Sequence, residues 1–278
     1  MKDYSLNLTI HNKGFLVPSV LQAFKDRTVG NYEIVVVLDG CSDNSEEEVV
    51  KFFKENKDIS HKIFYADNVF ETKANNIAAK NSDGKYIIIV QDDMIVNEDG
   101  WNQRLATPVE KFDDIYAVTA RTSYNYILNP NSTHLAMNKE DDLKIDNCWS
   151  DIVLTLDHAE KEKGLPRDML AIRNSVNRGP LLVRHDIFES AGYLNEKFSP
   201  QDQDDADLNY RVFKKFGMHC GCYWTDFISD LRWGGTRPDG HNPASWLLKA
   251  HHKNTRHLFE DHEDILRNGR IIENRKVR

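Results

Sequence analysis

Three groups of carboxylates carry the chemistry that this sequence can do. Asp92-Asp93 follow the apolar run Tyr86-Ile87-Ile88-Ile89-Val90. Two adjacent carboxylates at the end of a buried strand are costly unless their charge is compensated. Hard oxygen ligands of this kind suit Mg²⁺ or Mn²⁺, which can also bind a diphosphate. Asp39 closes a second apolar run, Glu33 to Leu38, and is followed by Gly40-Cys41-Ser42-Asp43-Asn44-Ser45. The third group is Gln201-Asp202-Gln203-Asp204-Asp205-Ala206-Asp207 at the start of an amphipathic segment. A carboxylate there can act as general base on a hydroxyl. Each group has a plainer alternative. Asp39 is equally suited to capping the turn it opens, Asp92-Asp93 to an ordinary strand-end turn, and the acids of 201–207 to a solvated helix start that the helix dipole favours.

The elements that must position these groups can be read from periodicity. Leu6 to Ile10, Glu33 to Leu38, Lys62 to Tyr65, Tyr86 to Val90 and Tyr116 to Ala120 read as strands. Helical spacing separates them at Leu16 to Phe24, Glu46 to Phe53, Thr72 to Asn81 and Trp101 to Phe112. Such alternation predicts an α/β fold with a largely parallel sheet. Ligands of open α/β sheets bind beyond the carboxyl ends of the strands, which is where Asp39 and Asp92-Asp93 fall. From Tyr124 to Asn177 the pattern weakens and no elements are assigned. It resumes with a strand at Leu181-Leu182-Val183, a helix near Asp186 to Ala191 and another from Asp205 to Phe216, whose Leu208, Val212 and Phe216 share a face. Cys220-Gly221-Cys222 reads as part of a strand. The tail after Ser245 is compatible with helix, its His251, His252, His257 and His262 at exposed positions, and it ends in a basic stretch that reads as a solvated helix end, the alternative being contact with an anionic membrane surface or partner.

Composition narrows the function. With 278 residues, 40% of them hydrophobic, the chain can bury one substantial core. A net charge of -8 disfavours nucleic acid as a partner. No apolar run reaches the roughly 20 residues needed to span a bilayer. Met1 to Leu8 lacks the pattern of a secretory signal. The four cysteines, Cys41, Cys148, Cys220 and Cys222, form no CxxC pair. A reduced, cytoplasmic setting is expected. No G-x-G-x-x-G, P-loop or G-x-S-x-G motif is present, which disfavours a nicotinamide dehydrogenase, a P-loop nucleotidase and a serine hydrolase.

The order of these segments resembles the family 2 glycosyltransferases of GT-A fold over residues 5 to 225. Thr9-Ile10-His11-Asn12 resembles the end of that family's first strand. Val35 to Ser45 resembles its Val-Val-Asp-Asp-Gly-Ser block, with Leu38 replacing the first acid and Asp39 retained. Lys73 and Asn76, then Gly84-Lys85-Tyr86, resemble the donor-side helix and the strand after it. Gln91-Asp92-Asp93 falls where the family has Asp-x-Asp, with Gln91 in place of an acid. Gly179 to Val183 and Gly192-Tyr193-Leu194-Asn195-Glu196 resemble the acceptor-side Gly-Gly-Phe-Asp-Glu region. Asp204-Asp205-Ala206-Asp207-Leu208-Asn209-Tyr210-Arg211 resembles Glu-Asp-x-Asp-Leu-x-x-Arg.

The resemblance implies a Rossmann-like, three-layer GT-A domain over residues 1–225 with a mostly parallel sheet, and a C-terminal loop and helical extension, 226–278, packing on it. It implies an inverting transfer from a nucleoside-diphosphate sugar, UDP favoured, to a hydroxyl of a glycan, lipid-linked or protein acceptor. Asp205, beside Asp204, falls at the catalytic base. Ile10, Asn12, Asp39, Lys73, Asn76 and Asp92 fall on the donor, and Asp93 on Mn²⁺ or Mg²⁺. His241 is a candidate further ligand, because GT-A enzymes recruit a C-terminal histidine. Arg232 and Arg237 are candidate phosphate or acceptor contacts and Trp233 a sugar-stacking one. Arg232-Trp233 faintly resembles the Gln-x-x-Arg-Trp motif of processive synthases, with Ser229 where the glutamine would stand. Two other classes remain open: a nucleotidyltransferase, for which His11-Asn12-Lys13-Gly14 is a poor version of the usual glycine- and lysine-rich loop, and a non-catalytic nucleotide- or glycan-binding relative.

Overall fold

The computed structural model describes residues 2–127, 149–154, 165–229 and 244–278, the side chains at 154 and 244–248 excepted. The first half alternates as expected: β1 (Lys2–Ile10), α1 (Val17–Arg27), β2 (Tyr32–Asp39), α2 (Ser45–Glu55), β3 (Ser60–Ala66), α3 (Phe70–Lys80), β4 (Gly84–Gln91), β5 (Met94–Val96), α4 (Trp101–Lys111) and β6 (Ile115–Thr119). Local chemistry sets the boundaries. Proline sits in the first turn of α1, and Glu46, Glu47 and Glu48 occupy the first turn of α2, where the dipole favours anions.

The second half contains β7 (Thr122–Tyr126), β8 (Trp149–Leu154), β9 (Met169–Arg173), β10 (Ser175–Asn177), β11 (Leu181–Arg184), α5 (His185–Ser190), α6 (Asp204–Phe216), β12 (His219–Tyr223), β13 (Phe227–Ser229), α7 (Ala244–Asn268) and β14 (Glu273–Lys276). A left-handed glycine, Gly217, with φ 67°, ends α6. Nine strands form the main sheet in the order β14-β9-β12-β6-β11-β4-β1-β2-β3. Pairing is parallel from β4 through β1 and β2 to β3, and between β6 and β12. Most strands point the same way, as expected, while β11 and β9 run against them, so the sheet is mixed.

The strand side chains alternate between two helical layers. Leu6, Leu8, Ile34, Val36, Ile88 and Val90 pack with α1, α2 and α4. Val35 and Val37 meet α3, while Ile87 and Ile89 join the core beneath α5 and α6. A smaller cluster of Tyr124, Tyr126, Ala206, Tyr210, Leu258 and Ile265 joins α6 to β7 and α7. The tail after Ser245 is mostly helix, but its basic end contributes β14 to the main sheet.

The antiparallel course of β11 matters for the site. Leu181 pairs with Ile89, so β11 begins beside the end of β4. Arg178-Gly179-Pro180, which precede it, therefore reach the carboxyl edge of the sheet. Gly179 has φ +86°, and a Cβ there would lie 2.2 Å from Oε1 of Gln91. The positive φ of this crossing is one that glycine adopts without strain.

Candidate active site

The ends of β1, β2 and β4 and the start of α3 surround one cleft. Ile10, His11, Lys13, Asp39, Asp92 and Asp93 are among its lining residues. The His11 N–H donates to Oδ2 of Asp92 at 2.9 Å. Asp39 is buried, and its carboxylate accepts from the N–H groups of Val69 at 2.6 Å and Phe70 at 2.8 Å. Asp39 thus caps a helix, but it is α3 and not the one after its own turn. Phe70 has φ 69°, a conformation an L side chain rarely holds without such support. This anchor brings Glu71 and Asn75, four residues apart on α3, to line the cleft.

Burial pushes the Asp92 carboxyl up to about 7; the charge of Asp93 adds to the rise, while the His11 N–H and Lys13 oppose it. Oδ1 of Asp93 is buried with no hydrogen-bond partner. A buried carboxylate oxygen left unmatched beside a second carboxylate is a fit donor for a hard cation. No cluster of three His, Cys, Asp or Glu side chains able to hold a metal forms among the described residues. The fit is therefore to a cation that takes its remaining ligands from elsewhere, as Mg²⁺ commonly does from substrate phosphates.

A second cavity, with about 830 Å³ of empty space, adjoins the first, and Glu71, Gln91 and Arg178 line both. Its far side is the start of α6. Asp204 is fully buried and spent: it accepts from Oγ1 of Thr72 at 2.8 Å and from Nη2 of Arg178. Asp205 faces the cavity. Its Oδ2 accepts from the Arg178 N–H at 3.1 Å, and its Oδ1 lies 3.5 Å from Nε of Arg178 and is buried with no hydrogen-bond partner. Burial raises the Asp205 carboxyl well above the usual carboxylate range; Arg178 opposes the rise, and Asp204 and Glu71 add to it. Burial works against the charge of Arg178, but Asp204, Asp205 and Glu71 outweigh it and hold the guanidinium firmly protonated. A carboxylate poised near neutrality in a cavity suits proton abstraction.

The turn leading into α6 is held from behind by α7. Nδ2 of Asn254 faces three of its carbonyl oxygens, Phe198 at 2.5 Å, Gln201 at 2.7 Å and Asp202 at 3.2 Å. Asp202 and Gln203 both have positive φ, 80° and 66°, so the turn needs this support. His251 bonds the Asp202 carboxylate. His262 is not at an exposed position: it is buried at a kink in α7, with Nε2 2.9 Å from Oδ1 of Asp207. Arg211 takes the other Asp207 oxygen at 2.7 Å, so this acid of the motif is structural.

Of the residues expected from sequence, Ile10, Asp39, Asp92 and Asp93 meet at the first cleft, and Asp204 and Asp205 at the second. Asn12 accepts from the N–H of Ser42 at 2.7 Å and ties the β1 and β2 turns together. The Asn76 amide is committed to Leu194 and Glu196, and Lys73 is exposed; neither lines the cleft. Arg232, Trp233, Arg237 and His241 lie outside the described residues, as does Cys148. Sequence reasoning missed Lys13, Glu71, Asn75 and Arg178. The signal for Arg178 was an arginine set against Gly179-Pro180 before a buried strand.

Mixed sheet, two helical layers and adjoining cavities at the carboxyl edge are the architecture of the GT-A fold. The family model for glycosyl transferase family 2 matches residues 5–166, more than half of the chain, and the chain belongs to that family. An uncharacterized glycosyltransferase of Rickettsia bellii (strain RML369-C) is 24% identical over 123 residues, 44% of this chain but 17% of the relative, so the chain spans a small part of that protein's length. Among solved structures, GalNAc-T7 with UDP, GalNAc and Mn²⁺ superposes with a TM-score of 0.59 at 14% identity, over 80% of this chain and 42% of the other. Staphylococcus aureus TarS 1-349 in complex with UDP-GlcNAc gives 0.53 at 13%, over 96% and 70%. The mannosyltransferase PcManGT of Pyrobaculum calidifontis with GDP-Man and Mn²⁺ gives 0.53 at 13%, over 80% and 55%. No helix among the described residues is long and apolar enough to cross a membrane.

Proposed function

We propose that this protein is an inverting glycosyltransferase that moves a sugar from a nucleoside-diphosphate sugar, UDP favoured, to a hydroxyl of its acceptor. The observation that carries this reading is the shared wall between the two cavities. Glu71, Gln91 and Arg178 line both, which supports a donor held over Asp92-Asp93 with its reacting end toward Asp205. Asp205 takes the proton of the acceptor hydroxyl. The hydroxyl oxygen attacks the anomeric carbon as the bond to the diphosphate breaks, and the proton remains on Asp205. Attack opposite the departing diphosphate inverts the configuration. Arg178 positions Asp205 and, through Asp204, fixes the start of α6. Asp93, with Asp92 beside it, would hold Mn²⁺ or Mg²⁺, which neutralises the charge developing on a departing diphosphate. Membership in glycosyl transferase family 2 and likeness in fold to proteins crystallised with UDP or GDP-Man and Mn²⁺ support this reading.

Calorimetric titration of UDP, GDP, dTDP and CMP, with and without Mn²⁺, tests it beside Asp93→Ala. One nucleoside diphosphate is expected to bind in a metal-dependent way that the variant loses. Binding of none of them would favour a relative without turnover. Equal binding by the variant would remove Asp93 from the metal.

A further inference from the structure

The cavity on the acceptor side has a composition that selects its occupant. Trp149 lines it, 45% exposed. Tyr124 stacks on the indole at 4.0 Å with the rings 20° apart, and Tyr126 meets it edge-on at 5.9 Å. Tyr124 and Tyr126 thus brace the indole where it lines the cavity. Around it stand three buried polar atoms with no hydrogen-bond partner: Oε1 of Gln201, Oδ1 of Asp205 and Nη1 of Arg178, whose side chain is only 7% exposed. Buried polar atoms are normally satisfied, so a group of them around one cavity marks where ligand groups belong.

We propose that the acceptor is a saccharide, one pyranose ring of which stacks on Trp149 while its hydroxyls meet Gln201, Asp205 and Arg178. This rests on the reading of Asp205 as the base. A pyranose offers what the cavity asks for: a face of C–H groups for an aromatic surface, and rim hydroxyls that both donate and accept. An acyl chain would leave the three polar atoms unmatched. A phosphate or other polyanion would face four carboxylates, those of Glu71, Asp202, Asp204 and Asp205, against the two guanidinium groups of Arg121 and Arg178 that line the same cavity. A neutral sugar meets neither obstacle.

Saturation-transfer NMR on the full chain, with UDP and Mn²⁺ present, tests this using N-acetylglucosamine, maltose and cellobiose as probes. At least one is expected to show transfer to its ring protons. Trp149→Ala should weaken that binding by about tenfold, the scale of an aromatic contact, with UDP binding unchanged. Trp149→Phe, which keeps an aromatic face, should retain most of it and serves if the alanine variant does not fold. The proposal is overturned if no probe binds while UDP binds normally, or if saccharide binding survives in Trp149→Ala. Loss of UDP binding with Trp149-dependent saccharide binding intact would instead overturn the donor reading and leave this one standing.

Discussion

The two halves of the cleft are built on different physical terms. The donor side hangs from β1, β2 and β4, whose Leu6, Leu8, Ile34, Val36, Ile88 and Val90 are buried in one apolar cluster. The acceptor side is held by buried polar groups bonded to one another. Asn125 is fully buried in β7, its amide donating to Asp151 and Ile271 at 2.8 Å each. Arg178 joins Asp204, Asp205 and Glu71, and His262 joins Asp207. An apolar scaffold loses stability in proportion to the atoms removed and keeps its shape. A buried polar network loses its geometry when one member goes, because the partners left behind are uncompensated. Changes on the donor side should therefore be graded and those on the acceptor side abrupt.

Four substitutions sharpen or break that contrast. Asp205→Asn is expected to lower transfer by about 100- to 10,000-fold, the range for a lost general base, while calorimetry shows nucleotide binding retained. In the parent protein, transfer should rise with pH through the elevated Asp205 value, since the base works only when ionised. Burial, Asp204 and Glu71 hold that value up against Arg178, so the rise should fall nearer neutrality than for an ordinary carboxyl. A profile already flat from pH 5 upward would remove Asp205 from the rate-limiting proton transfer. Arg178→Ala should cost about 3–5 kcal/mol in denaturant unfolding, the scale of an abandoned buried ion pair. If it costs no more than a surface change, the network is not what holds the acceptor side.

Asn254→Ala should destabilise by about 1–3 kcal/mol, because carbonyls lose their partner, and should slow turnover without changing nucleotide affinity. A turnover number equal to that of the parent would separate α7 from the site. Ile88→Val, on the donor side, should cost only about 0.5–1.5 kcal/mol and leave binding and turnover as they were. An altered nucleotide affinity there would contradict the division.

The same contrast explains what could be read from sequence. Runs such as Val35-Val36-Val37-Leu38 and Ile87-Ile88-Ile89-Val90 announce buried strands, and their ends located Asp39, Asp92 and Asp93. In β7, Thr122-Ser123-Tyr124-Asn125-Tyr126 is buried throughout yet half polar. Its polar groups are satisfied by distant partners, such as Ser123 Oγ donating to Ala171 O at 3.2 Å, and no periodicity reveals them. Arg178 escaped notice for a related reason. Its position depends on the reversed β11, which alternation of strands and helices does not foretell. On α3 the missed signal was helical phase: Glu71 and Asn75 face the cleft, whereas Lys73 points to solvent and Asn76 toward Leu194.

The amide of Asn254 has two hydrogens and faces three carbonyl oxygens, those of Phe198, Gln201 and Asp202. A rotation of that one side chain would release three carbonyls of the turn ahead of α6 at once, while His251 on Asp202 and Arg178 on Asp205 keep their own hold.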